Sequence, residues 1–316
     1  MRCPQRRAHA LAGSVAFLLC VGMLPTIVAA QSKDDPTTAD SAPLQEVTVT
    51  ARRFDERRLD RVIIPRFVAS HGAPNPKSNQ VGRWTPYLPI CPSTTGLKPA
   101  FADYVSRRVL AVAAMVGAPA ARYGRCKFTV EIIFTPGPQE QVSYLAKTYR
   151  ALLGYDQGSL KQRLTFTHAI QAWYTTATHT VGGTQCLGGW SIDSDVPLCN
   201  EQAGGSASRL SNGMLSGIVN VLIIVDTKQV DGPSLGSIAD YIALLALTRT
   251  SVDGCSELPS IIDLLSADCA GRSPPDSMTV ADIAYLKALY SADLEKNLNL
   301  EQGDIHNTMS HELLGR

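Results

Sequence analysis

The stretch IVNVLIIVDT, residues 218–227, determines the expected architecture, because it is the most apolar strand candidate in the chain. A run of this kind, rich in β-branched residues, is typical of a central strand that is covered on both faces. The helix candidate that follows, SLGSIADYIALLALT at residues 234–248, is apolar almost all the way round. We therefore predict a buried helix next to the central strand.

Further strands and helices alternate before and after this pair. Two more segments have the β-branched and aromatic composition of strands: KFTVEIIF at residues 127–134 and AIQAWYTTATHT at residues 169–180. Helix signals occur at four other places: from Lys98, from Pro138, over residues 258–265 and from Thr279. Strands interleaved with helices predict an α+β or three-layer α/β fold, in which helices cover a mixed sheet within one domain over residues 63–300.

The helix that begins near Lys98 carries a regular apolar stripe. Its members are spaced by four and three residues: Phe101, Val105, Val109, Val112 and Val116. This spacing predicts that all five lie on one face of the helix, which we expect to pack on the core. Arg107 and Arg108 lie off the stripe.

Residues 1–30 have the parts of a secretory signal peptide. A basic start is followed by an apolar run over residues 11–28 and by small residues before Gln31. We expect cleavage at that point and a periplasmic or secreted product. An uncleaved membrane anchor is the alternative, because the apolar run is near the lower limit for a membrane span.

The charge of the mature chain argues against a general attraction to polyanions. Loss of residues 1–30 removes Arg2, Arg6 and Arg7, which leaves 26 of the 29 basic residues against 28 acidic ones. A net charge near −2 creates no field that would gather nucleic acid or an anionic membrane. We therefore expect no nucleic-acid partner and no stable membrane span after signal removal.

Six cysteines remain after the predicted cleavage, and an even number in an exported chain indicates disulfide bonds. Sequence alone leaves all fifteen pairings open. We favour sequential pairs that each close a local loop: Cys91–Cys126, Cys186–Cys199 and Cys255–Cys269. A zinc site is the rival interpretation, but the chain has no Cys-x-x-Cys motif. We expect neither a metal nor a cofactor.

Residues 31–62 are polar and dense in charge, so we expect a flexible segment. Within it, EVTVTARR at residues 46–53 resembles the stretch that opens the plug of TonB-dependent outer-membrane receptors. The chain lacks the repeated alternating strands of the barrel that should follow. The resemblance implies, as one alternative, a periplasmic partner of a TonB-type transport system.

Residues 234–291 resemble the second half of a matrixin-type zinc peptidase, which has a zincin fold. The likeness rests on the order of segments after the strand VLIIVD: the helix with ADYIALL, the turn PSII at residues 259–262 and MTVADIAYLKALY at residues 278–290. The same layout over residues 65–300 is similar to a family of secreted proteobacterial proteins without an assigned activity. The resemblance implies a zincin-like fold stabilised by disulfides.

The chemistry departs from that family. A zinc peptidase needs imidazoles one helical turn apart and a carboxylate beside them. Alignment on ADYIALL places Asp240 and Leu244 at the ligand positions and Tyr241 at the position of the general base. The metal site is lost by this interpretation, while the helix and its packing remain.

The chain ends with MSHELLGR, residues 309–316, which contains the first letters of the zinc motif H-E-x-x-H. Gly315 occupies the position due for the second histidine, so His311 and Glu312 cannot complete this motif. We expect residues 301–316 to form a polar tail that frays.

Five residues make up the candidate pocket: Asp226, Asp240, Tyr241, Trp173 and His168. Asp226 closes the central strand, where ligands gather in open α/β sheets, and a turn-capping role is the alternative. Asp240 is a charge in an apolar helix, which is typical of functional sites, although the helix dipole and Ser237 could satisfy it. Trp173 could equally be a core residue.

Together these features predict an exported binding or accessory module on a metal-free zincin-like scaffold. Its partner would be a peptide or a cell-envelope protein, and a groove beside an edge strand could hold a peptide by strand addition. The enzyme alternative is a metal-independent hydrolase that uses Asp226 or Asp240. No nucleophile motif such as G-x-S-x-G accompanies those carboxylates.

Overall fold

The apolar run at residues 218–227 lies in an interior strand of a four-stranded mixed sheet. The computed structural model describes residues 55–75, 79–154, 164–180, 214–251, 255–266, 269 and 272–315. Its strands are β1 (Pro92–Thr95), β2 (Val130–Thr135), β3 (Ile170–Thr180) and β4 (Met214–Asp226). Their order is β1-β2-β4-β3, with β1, β2 and β4 parallel and β3 antiparallel to β4.

Six helices in the described part of the chain surround this sheet. The first, α1, covers residues 56–71: Glu56–Arg58 and Ile64–His71 are α-helical, and Leu59–Ile63 is π-helical. The others are α2 (Pro99–Met115), α3 (Pro138–Thr148), α4 (Leu235–Leu247), α5 (Val280–Ser291) and α6 (Leu298–Leu314). Two 3-10 turns lie at Arg150–Leu153 and Ile261–Leu265.

The sheet has a buried cluster on each face. The larger one takes Val221 and Ile223 from β4 and packs them with residues of α1, α2, α4, α5 and α6. The smaller one takes Leu222 and Ile224 from β4 and packs them with Trp173 and with residues of α3. Neighbouring residues divide between the clusters because successive side chains of a strand point to opposite faces. Helices therefore cover both faces, and the fold is mixed α+β.

Helix α4 is buried almost all the way round, as its composition predicts. Its amino end is capped by the side chain of Ser234, which accepts a hydrogen bond from the main-chain N–H of Ser237. Ile242 and Leu247 are fully buried, and each such side chain contributes about 2 kcal/mol by leaving water. The short neighbour predicted at residues 258–265 is a 3-10 turn, and Thr279 starts α5 with a capping box.

Two of the three predicted disulfides are present. Cys91 is bonded to Cys126, and Cys255 is bonded to Cys269. The first bond ties the residue before β1 to the loop that precedes β2. The predicted pair Cys186–Cys199 lies outside the described residues and stays a prediction.

The carboxyl-terminal segment is a helix rather than the expected frayed tail at residues 301–316. Ile305 and Met309 of α6 are fully buried. Glu301 is buried as well, and its carboxylate forms an ion pair with buried Arg83 at 2.6 Å and accepts from the N–H of Val81 at 2.6 Å. The segment looks polar in sequence, but a few apolar residues and one ion pair are enough to dock it.

Helical structure is also present before the predicted boundary at residue 63. Helix α1 starts at Glu56, within the segment 31–62 that we expected to be flexible, and Asp55 caps it by accepting from the N–H of Arg57. Residues 46–53 and the predicted signal peptide lie outside the described residues. Within the described ranges, no helix combines the length and the apolar character needed to span a bilayer.

Candidate functional site

Three hydrogen-bond donors hold the carboxylate of Asp240 on α4. Arg108 of α2 donates from Nε to Oδ1 at 2.5 Å and from Nη2 to Oδ2 at 3.0 Å. The main-chain N–H of Met278, just before α5, donates to Oδ2 at 2.9 Å. A two-point Arg–carboxylate contact is among the strongest side-chain pairs. Asp240 therefore connects α2, α4 and the segment that leads into α5.

The Arg108–Asp240 pair leaves little freedom for acid–base chemistry. The side chain of Asp240 is 3% exposed and that of Arg108 is 33% exposed. The hydrogen bond to Asp240 raises the pKa of Arg108, so this guanidinium keeps its charge. Ser237, expected as a partner of Asp240, instead donates its hydroxyl to the carbonyl of Asp276 at 2.7 Å.

Tyr241 occupies the position at which the resemblance places a general base. Burial and the nearby charge of Asp263 raise the pKa of Tyr241 to about 12. Asp263 is itself buried and accepts from the N–H of Ser256 at 3.2 Å, and burial raises its pKa. A phenol with so high a pKa keeps its proton at neutral pH and cannot act as a base there.

The residues at the aligned zinc positions do not fit a zinc ion. Leu244 is fully buried in the larger cluster and offers no donor atom. The carboxylate of Asp240 is held by the guanidinium of Arg108. Among the described residues, no three His, Cys, Asp or Glu side chains are grouped closely enough to hold a metal ion. We therefore assign no metal-dependent step to this helix.

Asp226 forms a turn at the end of β4. Its side chain accepts from the N–H of Lys228 at 2.9 Å and from Nε2 of Gln229 at 2.7 Å. Its own N–H donates to the carbonyl of Ala169 at 2.9 Å, which brings the neighbouring His168 to the same end of the sheet. His168 is exposed, and its Nδ1 lies 2.8 Å from the hydroxyl of Thr167.

The five residues of the predicted pocket do not converge on one cavity. Trp173 is buried in the smaller cluster with α3, on the face of the sheet opposite to α4. Asp240 and Tyr241 belong to α4 on the other face, and Asp226 and His168 lie at the strand ends. The sheet lies between Trp173 and α4, and a list of residues in sequence order cannot show that separation.

A buried polar network that the sequence did not indicate joins α1 to α5. Nε2 of His71 lies 3.1 Å from the hydroxyl of Ser260, and this hydroxyl donates to Oδ1 of Asp282 at 2.6 Å. Oδ2 of Asp282 accepts from the N–H of Ile261 and from both the N–H and the hydroxyl of Thr279. The turn PSII and the capping box were visible in the sequence, but nothing local pointed to His71.

This network is structural rather than catalytic. Burial lowers the pKa of His71 to about 4, and burial raises that of Asp282 although several hydrogen bonds oppose it. His71 and Ser260 are fully buried. The serine lies between the histidine and the aspartate, whereas a catalytic triad needs the histidine in the middle. The three side chains therefore lock the turn against two helices.

The exposed side of α2 is the other feature that the sequence analysis missed. Phe101 was expected on the buried stripe, yet it is 51% exposed. It belongs to the first turn of the helix and lies at one margin of the stripe when the positions are spaced at 3.6 residues per turn. Tyr104, Met115, Tyr123 and Phe128 are exposed as well. We call the exposed side chains of residues 98–128 the α2 face.

Comparison with known protein families, with curated proteins and with solved structures gives no match to this chain. Its function has to be argued from its own geometry. In that geometry, Asp226, Asp240 and Asp282 each accept hydrogen bonds from several protein donors. Five of the ten large apolar side chains that are exposed in the described part of the chain are on the α2 face.

Proposed function

We propose that this chain is an exported, non-catalytic binding or accessory module on a zincin-like scaffold that has lost its metal site. The observation that carries the proposal is the closed contact of Asp240 with Arg108 and the N–H of Met278. Asp240, at the helix position where the resemblance would place a zinc ligand, forms a structural ion pair with Arg108 instead. Tyr241 and Leu244 supply neither a base nor a ligand beside it.

The order of elements supports the scaffold part of the proposal. The interior strand β4 leads to the buried helix α4, then to the turn at Ser260 and then to the capped helix α5. Asp282 of α5 accepts from the hydroxyl of Ser260 and from the N–H of Ile261. This contact between the turn and α5 is what supports the scaffold part of the proposal.

Strand β1 has few main-chain groups at its free edge that could bind a peptide by strand addition. The main-chain carbonyl of Cys91 accepts from the N–H of Val130, and the parallel register pairs Pro92 with Val130. The main-chain groups of Pro92 and Thr94 therefore point away from β2. Proline has no N–H to donate. The free edge of this strand therefore offers one N–H, that of Thr94, and short edges that contain proline resist further pairing. This geometry favours a side-chain surface over β1 as the binding site.

Metal analysis of the exported protein tests the proposal. Protein is purified from medium supplemented with zinc and is then dialysed. We expect the molar ratio of zinc to protein to stay far below one. Zinc at one ion per chain would overturn the proposal, because it would require ligands that converge on α4 or elsewhere. The protein is purified without a histidine tag, and a known zinc peptidase dialysed in parallel is the control for loss of bound zinc.

A substrate profile distinguishes the hydrolase alternative. The wild-type protein and an Asp240→Asn variant are compared on peptide, ester and glycoside libraries, with Asp226→Asn as the matched second carboxylate. The proposal expects no turnover by any of the three proteins. An activity that a folded Asp240→Asn or Asp226→Asn variant loses would favour the hydrolase.

A further inference from the structure

We infer that the α2 face is a docking surface for an acidic protein segment. This inference rests on the proposed binding function and names the chemistry of the partner. It depends on three features of residues 98–128: their charge, their exposed aromatic side chains and the contacts that hold them in place.

The charge of the chain is divided unevenly. Of the 26 basic and 28 acidic residues after residue 30, six basic and one acidic residue lie in residues 98–128, which leaves 20 and 27 for the rest. A net charge near zero therefore conceals a basic face. Within the described residues, four of its cations form no ion pair: Lys98, Arg122, Arg125 and Lys127. Uncompensated charge of one sign attracts and orients a partner of the opposite sign.

Large apolar side chains are concentrated on the same face. Ten are exposed in the described part of the chain, and five of them belong to residues 101–128: Phe101, Tyr104, Met115, Tyr123 and Phe128. Aromatic residues, methionine and arginine are the types enriched at the centres of protein interfaces. The α2 face therefore combines attraction at a distance with contact area for a bound segment.

The face is held in a fixed shape. The hydroxyl of Tyr123 donates to Oδ1 of Asp103 at 2.5 Å, and Arg107 donates to Oδ2 at 2.7 Å. The guanidinium of Arg107 lies over the ring of Tyr123, 4.5 Å from its centre. The loop between α2 and β2, which contains Tyr123, is also held by the Cys91–Cys126 disulfide. A surface that is already ordered loses less entropy when it binds.

The same contacts favour a protein segment over an anionic membrane. A membrane-binding face needs apolar side chains that are free to enter the acyl region. The ring of Tyr123 instead lies beneath Arg107, and its hydroxyl is engaged by Asp103. The remaining N–H groups of Arg107 can meet a carboxylate in the two-point geometry that arginine favours.

Selection from a random dodecapeptide display library tests this inference. The expected result is enrichment of peptides that combine Asp or Glu with apolar residues. Binding of the enriched peptides is expected to weaken between about 0.1 and 1 M salt, because the screening length falls from about 10 to about 3 Å. The double variant Arg125→Glu with Lys127→Glu is expected to bind them about tenfold less tightly.

A second exposed surface supplies the matched control. Lys147 and Arg150 are exposed next to Tyr144 and Tyr149, on the side of the sheet that α3 covers. Lys147→Glu with Arg150→Glu makes the same change of charge and is expected to leave peptide binding unchanged. Phe101→Gln tests the apolar part of the α2 face without any change of charge and is expected to weaken binding too.

Three outcomes would overturn the inference: enriched peptides without acidic residues, equal losses in the two charge variants, or binding to vesicles of phosphatidylethanolamine and phosphatidylglycerol in place of peptides. Self-association that the Arg125→Glu/Lys127→Glu variant abolishes would identify a second copy as the occupant and would also contradict it. None of these results touches the proposed function, which fails only if metal or turnover is found.

Discussion

The carboxylate of Asp240 has one charged partner and one main-chain partner, and this asymmetry predicts what each substitution costs. Arg108→Met leaves a buried carboxylate without its counter-charge, which we expect to cost about 3 kcal/mol, since partial exposure of Arg108 moderates the loss. Asp240→Asn keeps an acceptor for the N–H of Met278 and lets Arg108 turn toward solvent. We expect it to cost about 1 kcal/mol.

Urea denaturation of the two variants measures the difference. Arg107→Met is the control, because its pair with Asp103 is exposed and exposed pairs contribute little to stability. A larger cost for Asp240→Asn than for Arg108→Met would show that Asp240 does something other than neutralise the arginine.

His71 gives the protein a stability that depends on pH. Burial lowers its pKa to about 4, whereas an unfolded histidine titrates near 6.5. Below pH 6.5 the unfolded state therefore binds more protons than the folded state. The contribution of buried His71 to the free energy of unfolding is complete above that pH and is lost as the pH falls towards 4. The loss reaches about 3 kcal/mol at about 1.4 kcal/mol per pH unit.

The measurement is the free energy of unfolding against pH for the wild type and for His71→Asn. Burial raises the pKa of Glu301 to about 7, which changes stability in the opposite direction, so the difference between the two curves is the informative quantity. His168→Asn, which makes the same substitution at an exposed histidine, is the matched control. Parallel curves for the wild type and His71→Asn would contradict the prediction.

Helix α6 is held by its buried side chains, and one substitution can test that. Met309→Ala removes a fully buried side chain, which is expected to cost about 2–5 kcal/mol. His311→Ala, two residues further on and exposed, is expected to stay within about 0.5 kcal/mol of the wild type. If Met309→Ala leaves the melting temperature in thermal unfolding unchanged, this segment does not stabilise the fold and the prediction of a frayed tail stands.

The two observed disulfides close loops of different length. Loss of Cys91–Cys126, with a sequence separation of 35, is expected to cost about 4 kcal/mol by the loop-entropy relation. Loss of Cys255–Cys269, with a separation of 14, is expected to cost about 3 kcal/mol. Paired Cys→Ser variants measured by denaturation check both values, and an equal or reversed order would contradict the entropic account.

The consequences for binding differ between these bonds. Cys126 lies between Arg125 and Lys127 of the α2 face, so the variant without Cys91–Cys126 is expected to bind acidic peptides less tightly as well as to unfold more easily. The variant without Cys255–Cys269 is expected to unfold more easily and to keep peptide binding. Peptide mapping of the unreduced protein will show whether Cys186 is bonded to Cys199.

Sequence by itself determined the features that depend on neighbours along the chain. The apolar run of β4, the buried helix α4 and the capping box at Thr279 were all predicted from local composition and spacing. Each is set by residues a few positions apart, whereas the disulfide pairs were a choice among fifteen possible pairings. Local patterns are sufficient for such features because strand and helix periods are read directly from the sequence.

Only the tertiary structure decided which polar groups meet. Arg108 reaches Asp240 across 132 positions, His71 reaches Ser260 across 189, and Val81 reaches Glu301 across 220. It also decided that α6 docks and that Phe101 is exposed. Burial of a charge depends on a counter-charge brought by another element, and no window of sequence contains both partners.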